Sequence, residues 1–371
     1  MKIVTVLGAR PQFIKASAVS REIVKHKEIN EIIVHTGQHY DNNMSDIFFE
    51  EMNIPEPDYF LDINCLNHGA MTGQMLEKIE EVLMKEKPAL VLVYGDTNST
   101  LAGALAAKKL HIRVAHVEAG LRSFNMKMPE EINRTVTDRI SDILFCPTDN
   151  AVQNLEKEGF NNLDCKIVKS GDVMYDAVIF YAGISEQRSN ITKSLQQKNK
   201  KLTPENFILC TIHREENTDN PERLISILQA LTEISRDIPV VLPIHPRTKN
   251  KLRDLDFDFN AINTNLLILD PVGYFDMLAL LKNCKLVMTD SGGLQKEAYF
   301  FKKICLTLRD ETEWIELVMS GMNRIVGADK ENIIEGFAIG KDIKPDFSGH
   351  FYGDGKASET IVNSICTAIP A

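Results

Sequence analysis

Several ionisable side chains in this sequence stand directly after apolar runs, where a folded sheet would present them to a ligand. Asp96 ends ALVLVYGD and Glu118 stands near the end of RVAHVEAG. Glu130, with Glu131 beside it, opens a helical stretch after Pro129, and His213 ends FILCTIH next to Arg214 and Glu215. If the strands before Asp96 and Glu118 are neighbours, the two carboxylates lie close together. Carboxylates crowded at a partly desolvated sheet edge raise one another's pKa, which prepares one as an acid and another as a base. Plainer readings exist for each. Asp96 suits a helix N-cap, the two glutamates suit a first turn facing the helix dipole, and a lone histidine is more often structural. His213 is set apart by ending a strand with Arg and Glu beside it.

A second group of residues suits phosphate. The stretch Thr289 to Phe300, TDSGGLQKEAYF, follows the apolar run KLVM, turns at Ser291-Gly292-Gly293 and enters a helix. A helix N-terminus carries free N–H groups and partial positive charge, and glycines let a ligand approach the backbone. An ordinary capped strand-to-helix turn would read the same way. Arg10 and Lys15 follow the first strand, where Arg could grip a phosphate in bidentate fashion; solvated helix-start charges are the alternative. GARP has one glycine, so a nicotinamide cofactor gains no support. His245 in PIHPR repeats the His213 argument more weakly. His213 and His245 stand isolated from other histidines in the sequence, so no metal is expected, and the reading calls for no cofactor.

The elements that must position these residues alternate along the chain. Apolar strands at 2–8, 31–37, 89–96, 113–120, 142–148 and 165–171 are separated by amphipathic helices, and a second series runs through 207–213, 239–245, 266–272, 285–289, 304–308 and 323–329. Continuous apolar strands between helices imply parallel sheets covered on both faces. In such sheets ligands bind beyond the carboxyl ends of the strands, where the residues above stand. The stretch 185–206 has the most linker-like composition. The expected fold is therefore α/β: two Rossmann-like, doubly wound domains facing a cleft. The first would span residues 1–171 with the C-terminal helix 352–371, the second residues 172–351.

Composition narrows the partners. With 371 residues and a net charge of -10, the chain suits neither nucleic acid nor a membrane surface. No run is long enough to span a bilayer. Its seven cysteines are scattered; Cys146, Cys210 and Cys305 sit in apolar runs and read as buried thiols, which points to a reducing, cytoplasmic compartment.

Taken together, GARPQFIK, HTGQHYD, YGDTNST, HVEAGLR, PEEINR, SGDVMYD, TIHREEN, PIHPR, TDSGGLQKEA and LRDETEW resemble the non-hydrolysing UDP-N-acetylglucosamine 2-epimerases. The resemblance runs from Gly8 to about Ser358. It implies the glycosyltransferase-B type fold, a UDP-sugar substrate, a homodimer and a role in surface-polysaccharide precursors. It also implies inversion at C2 of UDP-N-acetylglucosamine, or of a close analogue, by elimination and re-addition of UDP. Asp96, Glu118 and Glu130 would be the acid/base carboxylates and His213 a partner in the catalytic site. Arg10 and Lys15 would lie near the diphosphate or sugar. Ser291, Gly292 and Gly293 would hold the diphosphate and Glu297 the ribose; Tyr274, Phe275, Met277, His245, Arg309 and Asp310 complete the expected binding set. Domain closure would exclude water from the intermediate.

The chain also departs from the family's usual pattern. Gln12 stands where many members have Glu. Gln38 to Met44 differs from a stretch linked in bacterial members to activation by substrate. Met277 falls where an aromatic would face uracil. GARPQFIKAS and RDETEW resemble the branch acting on UDP-2,3-diacetamido-2,3-dideoxyglucuronate, the alternative substrate. A UDP-sugar glycosyltransferase of the same fold is the more remote reading.

Overall fold

The computed structural model describes residues 1–38, 56–244, 248–249, 251–252, 265–343 and 346–369. These residues form two compact units, 1–179 with 350–371, and 180–349. The first boundary falls inside helix α6 (Val173–Arg188).

The first unit contains a parallel sheet of β1 (Lys2–Leu7), β2 (Asn30–His35), β3 (Tyr59–Phe60), β4 (Leu90–Tyr94), β5 (Arg113–Val117), β6 (Ile143–Cys146) and β7 (Lys166–Lys169). Its spatial order is β3-β2-β1-β4-β5-β6-β7, so the winding reverses between β1 and β4. That is the switch point at which doubly wound sheets open a crevice. The helices that bear on the site are α1 (Arg10–Ile23), α2 (His68–Glu86), α3 (Asn98–Lys109), α4 (Pro129–Ile140) and α5 (Asp149–Lys157). β4 is wholly buried because helices cover both faces of the central strands, which is why it reads as an unbroken apolar run. β3 has only two residues and was not expected; so short a strand has no periodicity to read.

The second unit repeats the design with β8 (Ile208–Thr211), β9 (Val240–Pro243), β10 (Leu266–Leu269), β11 (Leu286–Thr289), β12 (Ile304–Thr307) and β13 (Asn323–Ile325). The order β10-β9-β8-β11-β12-β13 puts its switch point between β8 and β11. The linker-like stretch belongs to this unit and is folded: it contains α7 (Ile191–Lys198). Leu195 and Leu202 are buried with Phe207, Leu209 and Val241. Two buried leucines anchor a segment whose composition is otherwise set by its solvated face.

Remaining helices are α8 (Glu215–Thr218), α9 (Pro221–Ile234), α10 (Tyr274–Asn283), α11 (Gly292–Phe300), α12 (Ile315–Met319), α13 (Lys330–Gly340) and α14 (Ala357–Ala368). α14 belongs to the first unit. The carboxylate of Asp176 accepts the free N–H groups of Ala357 (3.1 Å) and Ser358 (2.7 Å), satisfying two donors that a helix start leaves open. Cys146, Cys210 and Cys305 are buried, as expected, and so is Cys284.

Candidate active site

In the first unit, the switch point is locked by Gln12. Its Oε1 accepts the N–H of Gly8 (2.8 Å) and Ala9 (3.0 Å), and its Nε2 donates to the carbonyl of Tyr94 (2.8 Å) and the hydroxyl of Thr100 (2.9 Å). This ties the turn after β1, where Arg10 opens α1, to the turn after β4, where Asp96 lies. An amide suits this network, because a carboxylate could not donate to Tyr94 and Thr100. The departure at position 12 thus has a structural reason.

β4 and β5 are neighbours, so Asp96 and Glu118 leave adjacent strands as expected. Glu118 adopts a positive φ of 75°, a strained conformation for a residue with a side chain. Its largely buried carboxylate pairs with Lys15, which reaches it from α1. Asp96 pairs with Arg134 of α4, and Asn133 donates to the Asp96 carbonyl at 2.9 Å. Both carboxylates therefore stand beside cations.

The adjacent glutamates of α4 diverge. Glu131 is buried and accepts the N–H of Ser123 (2.9 Å), the hydroxyl of Ser123 (2.9 Å) and the N–H of Phe124 (3.0 Å). It clamps the preceding loop. Glu130, one residue earlier in the first turn, is half-exposed. Successive helix positions point about 100° apart, so only one of the pair can face inward.

In the second unit, Asp290 follows β11 and is fully buried. It accepts the N–H of His213 (3.0 Å to one oxygen, 3.1 Å to the other), the N–H of Arg214 (3.0 Å) and the amide of Asn217 (3.1 Å). Nδ1 of His213 lies 3.1 Å from the same carboxylate. Burial alone would raise the Asp290 carboxyl; the His213 bond and charge, with Asn217 and Arg214, outweigh it and hold it below its ordinary value. The rest of the His213 side chain is exposed.

Ser291 caps α11, accepting the N–H of Leu294 at 3.4 Å. Gly292 is buried beneath Glu313, and its carbonyl accepts Nε1 of Trp314 at 2.9 Å. Gly293 is exposed, and a Cβ there would have Ser291 Oγ as its nearest neighbour at 3.9 Å. The open glycine is the second of the two.

The remaining expected residues fall into distinct surroundings. Tyr274 donates its hydroxyl to Glu297 at 3.1 Å, and both are buried. Phe275 packs against Tyr181, and Met277 packs on the core beneath β8 and β11. Arg309 is buried and paired with Glu313 at 3.0 Å. Asp310 is exposed and bonds Arg223 at 2.9 Å. His245 and most of the 38–44 stretch lie outside the described residues.

Sequence reasoning marked Asp290 as a residue standing just after a strand, without giving it a role, and passed over Arg134 and His116. The signal for Asp290 is its place between β11 and the Ser-Gly-Gly turn. Arg134 had none, because its pairing with Asp96 is made across 38 positions of chain.

A family profile described as UDP-N-acetylglucosamine 2-epimerase matches residues 21–366. The chain is 56% identical over 364 residues to the UDP-2,3-diacetamido-2,3-dideoxy-D-glucuronate 2-epimerase of Pseudomonas aeruginosa, covering 97% of this chain and 98% of that one. It is 46% identical to the UDP-N-acetylglucosamine 2-epimerase of Methanocaldococcus jannaschii, with 98% of both chains covered. The crystal structure of the M. jannaschii enzyme with UDP-GlcNAc and UDP superposes with a TM-score of 0.89 at 44% identity, covering 99% of this chain and 100% of that one. The Neisseria meningitidis enzyme bound to UDP-GlcNAc gives 0.87 at 31% identity, with 99% and 100% covered.

Proposed function

The chain belongs to the UDP-N-acetylglucosamine 2-epimerase family, a family of isomerases, and from that premise we propose that it inverts C2 of a UDP-linked 2-acetamido sugar. The proton at C2 has no adjacent carbonyl and is not acidic. Elimination avoids the difficulty: a base takes the C2 proton while the C1–oxygen bond to UDP breaks, leaving a 2-acetamidoglycal and UDP. Re-addition of UDP, with a proton delivered to the opposite face of C2, completes the inversion. This needs a base, an acid and stabilisation of the departing diphosphate.

The observation that carries the reading is the placement of Asp96 and Glu118 just past the ends of adjacent strands, each beside a cation. In this reading those carboxylates and Glu130 handle the C2 proton, with His213 as a further proton-bearing group. Ser291, the exposed Gly293 and the N-terminus of α11 receive the diphosphate. Glu297, oriented by Tyr274, takes the ribose hydroxyls.

Of the two substrates, the 2,3-diacetamido-glucuronate nucleotide is favoured. Its supports are the 56% identity to the Pseudomonas enzyme, against 46% to the M. jannaschii one, and the GARPQF and RDETEW forms. UDP-N-acetylglucosamine is the second reading. Proton NMR in deuterated water with each nucleotide tests both. Deuterium at C2 together with the manno epimer identifies the substrate; no exchange with either would sink the epimerase reading.

We also infer a homodimer. Ile132 and Val136, one turn apart on α4, are exposed, as are Phe124 and Met126 on the loop that Glu131 clamps to the same helix. Such apolar exposure suits a second copy of the chain. Light scattering of a Val136→Glu variant checks it: a monomer is expected where the parent is a dimer, and a monomeric parent would refute it.

A further inference from the structure

Beneath the two carboxylate-bearing turns runs a chain of linked polar side chains, buried except at its Glu158 end. Arg122 grips Glu158 with two bonds, Nε at 2.7 Å and a terminal nitrogen at 2.8 Å. Another Arg122 nitrogen donates to Asp138 at 2.7 Å. Asp138 in turn lies 2.7 Å from Nδ1 of His116, and Nε2 of His116 lies 2.7 Å from the carbonyl oxygen of Gly95. His116 and Asp138 are completely excluded from solvent.

The ring of His116 spans the Asp138 carboxylate on one side and the Gly95 carbonyl on the other. Arg122, itself buried, stands between the Asp138 carboxylate and the solvent-facing Glu158, which offsets the cost of burying the Asp138 charge. Burial alone would raise the Asp138 carboxyl; the bond and charge of His116, with Arg122, hold it below its ordinary value.

The ends of the chain are more telling than its middle. Gly95 immediately precedes Asp96, has a φ of 63°, and its α-carbon faces the Lys15–Glu118 pair: a Cβ there would stand 3.3 Å from Glu118 Oε2 and 3.4 Å from Lys15 Nζ. The other Asp138 oxygen accepts the N–H of Gly120 at 3.1 Å, two residues after Glu118. Gly120 too has a positive φ, of 80°. One charged network thus grips both strained turns, the 95 turn through His116 and the 118–120 turn through Asp138.

We propose that His116 and Asp138 are positioning residues, which set the separation of the Asp96 and Glu118 carboxylates by holding the Gly95 carbonyl and the Gly120 N–H. Neither side chain reaches a substrate. The inference rests on the reading of Asp96 and Glu118 as proton-handling groups. Displacing reacting groups by an ångström costs turnover far more than binding, so the signature is a fall in kcat at nearly constant KM.

Two substitutions separate the halves of the histidine. Gln places an amide donor near the Nε2 position and retains the bond to Gly95. Asn places one near Nδ1, retaining the bond to Asp138 and losing the one to Gly95. In the full-length protein, His116→Asn is expected to lower kcat and C2 deuterium exchange 10- to 100-fold, on the scale of losses from groups that orient catalytic ligands, with KM changed less than about threefold. His116→Gln is expected to restore turnover to within about fivefold of the parent. Asp138→Asn, which keeps shape and removes charge, is expected to behave like His116→Asn and provides the answer should that variant not fold. Asp96→Asn and Glu118→Gln are measured alongside. If these retain turnover, the reading of the site fails and the positioning role falls with it. If they lose turnover while folded His116→Asn or Asp138→Asn matches the parent, or Asn and Gln lower kcat equally, the site reading stands and the positioning role is overturned.

Discussion

The carboxylate of Asp290 lies 3.1 Å from Nδ1 of His213 while also accepting the main-chain N–H of the same residue. It therefore fixes both the ring and the backbone of His213 across the switch point between β8 and β11. Asn at position 290 would keep the shape, lose the charge and turn an amide donor toward N–H groups. Asp290→Asn should cost about 2–4 kcal/mol in stability and lower kcat about 100-fold, the upper end for a residue that orients a functional histidine. Thermal melts and steady-state kinetics measure the two; undiminished turnover would remove His213 orientation from the mechanism.

The Lys15–Glu118 pair is mostly shielded from water, so breaking it leaves a charge poorly solvated. Lys15→Met and Glu118→Gln should each destabilise by roughly 1–3 kcal/mol, and the double variant by less than their sum, giving a coupling of 0.5–3 kcal/mol, the usual range for residues in contact. Turnover should stay low in all three if the Glu118 carboxylate handles the C2 proton, since stability can be regained without it. Additive stabilities in urea titrations would mean that the pair contributes nothing.

The two glycines of the Ser-Gly-Gly turn should separate folding from binding. Gly292 lies under Glu313 with no room for a methyl group, and Gly292→Ala should destabilise by about 1–3 kcal/mol through overpacking. Gly293 faces open space, so Gly293→Ala should leave stability level or raise it by up to about 1 kcal/mol. If the diphosphate lies on this turn, the same change should raise KM for the UDP-sugar by about tenfold, or 1.4 kcal/mol. An unaltered KM would place the diphosphate elsewhere.

His35 supplies a pH dependence. Burial against Phe13 and Phe60 lowers its pKa from 6.5 to about 4, and its Nδ1 accepts the N–H of Gly37 at 2.9 Å, which a neutral ring can do. Between pH 6.5 and 4 the unfolded chain takes up a proton at this site that the folded one refuses. Stability from this residue is thus full above pH 6.5 and falls as pH drops toward 4, by an amount of order 3 kcal/mol. Carboxylates such as Asp290, whose folded pKa is lowered, lose their contribution only below about pH 4. His35→Gln should flatten the stability–pH curve between 4 and 6.5. A curve of unchanged slope would contradict the assignment.

Much of this molecule was readable before its structure. The two strand series stood out because parallel strands buried on both faces must be apolar throughout. The residues just beyond them stood out because polar groups there have no packing reason to exist. Less was legible where the determinant is a single contact. The polar stretch before β8 looked like a linker because two buried leucines cannot be distinguished by composition. Glu130 and Glu131 looked alike, and only the phase of α4 separates the half-exposed acid from the loop clamp.

The order of residue types along the chain determined the fold class, the strand ends and the kind of chemistry available there, because periodicity and turn chemistry are local. Tertiary structure alone decided which charges meet. Lys15 and Glu118 are 103 positions apart, and His213 and Asp290 77. His116, unremarked in a run of apolar residues, became the holder of Gly95 only once β4 and β5 lay side by side. Such pairings depend on strand order and on helix phase, which arise when the sheet is assembled and its interior closed to water.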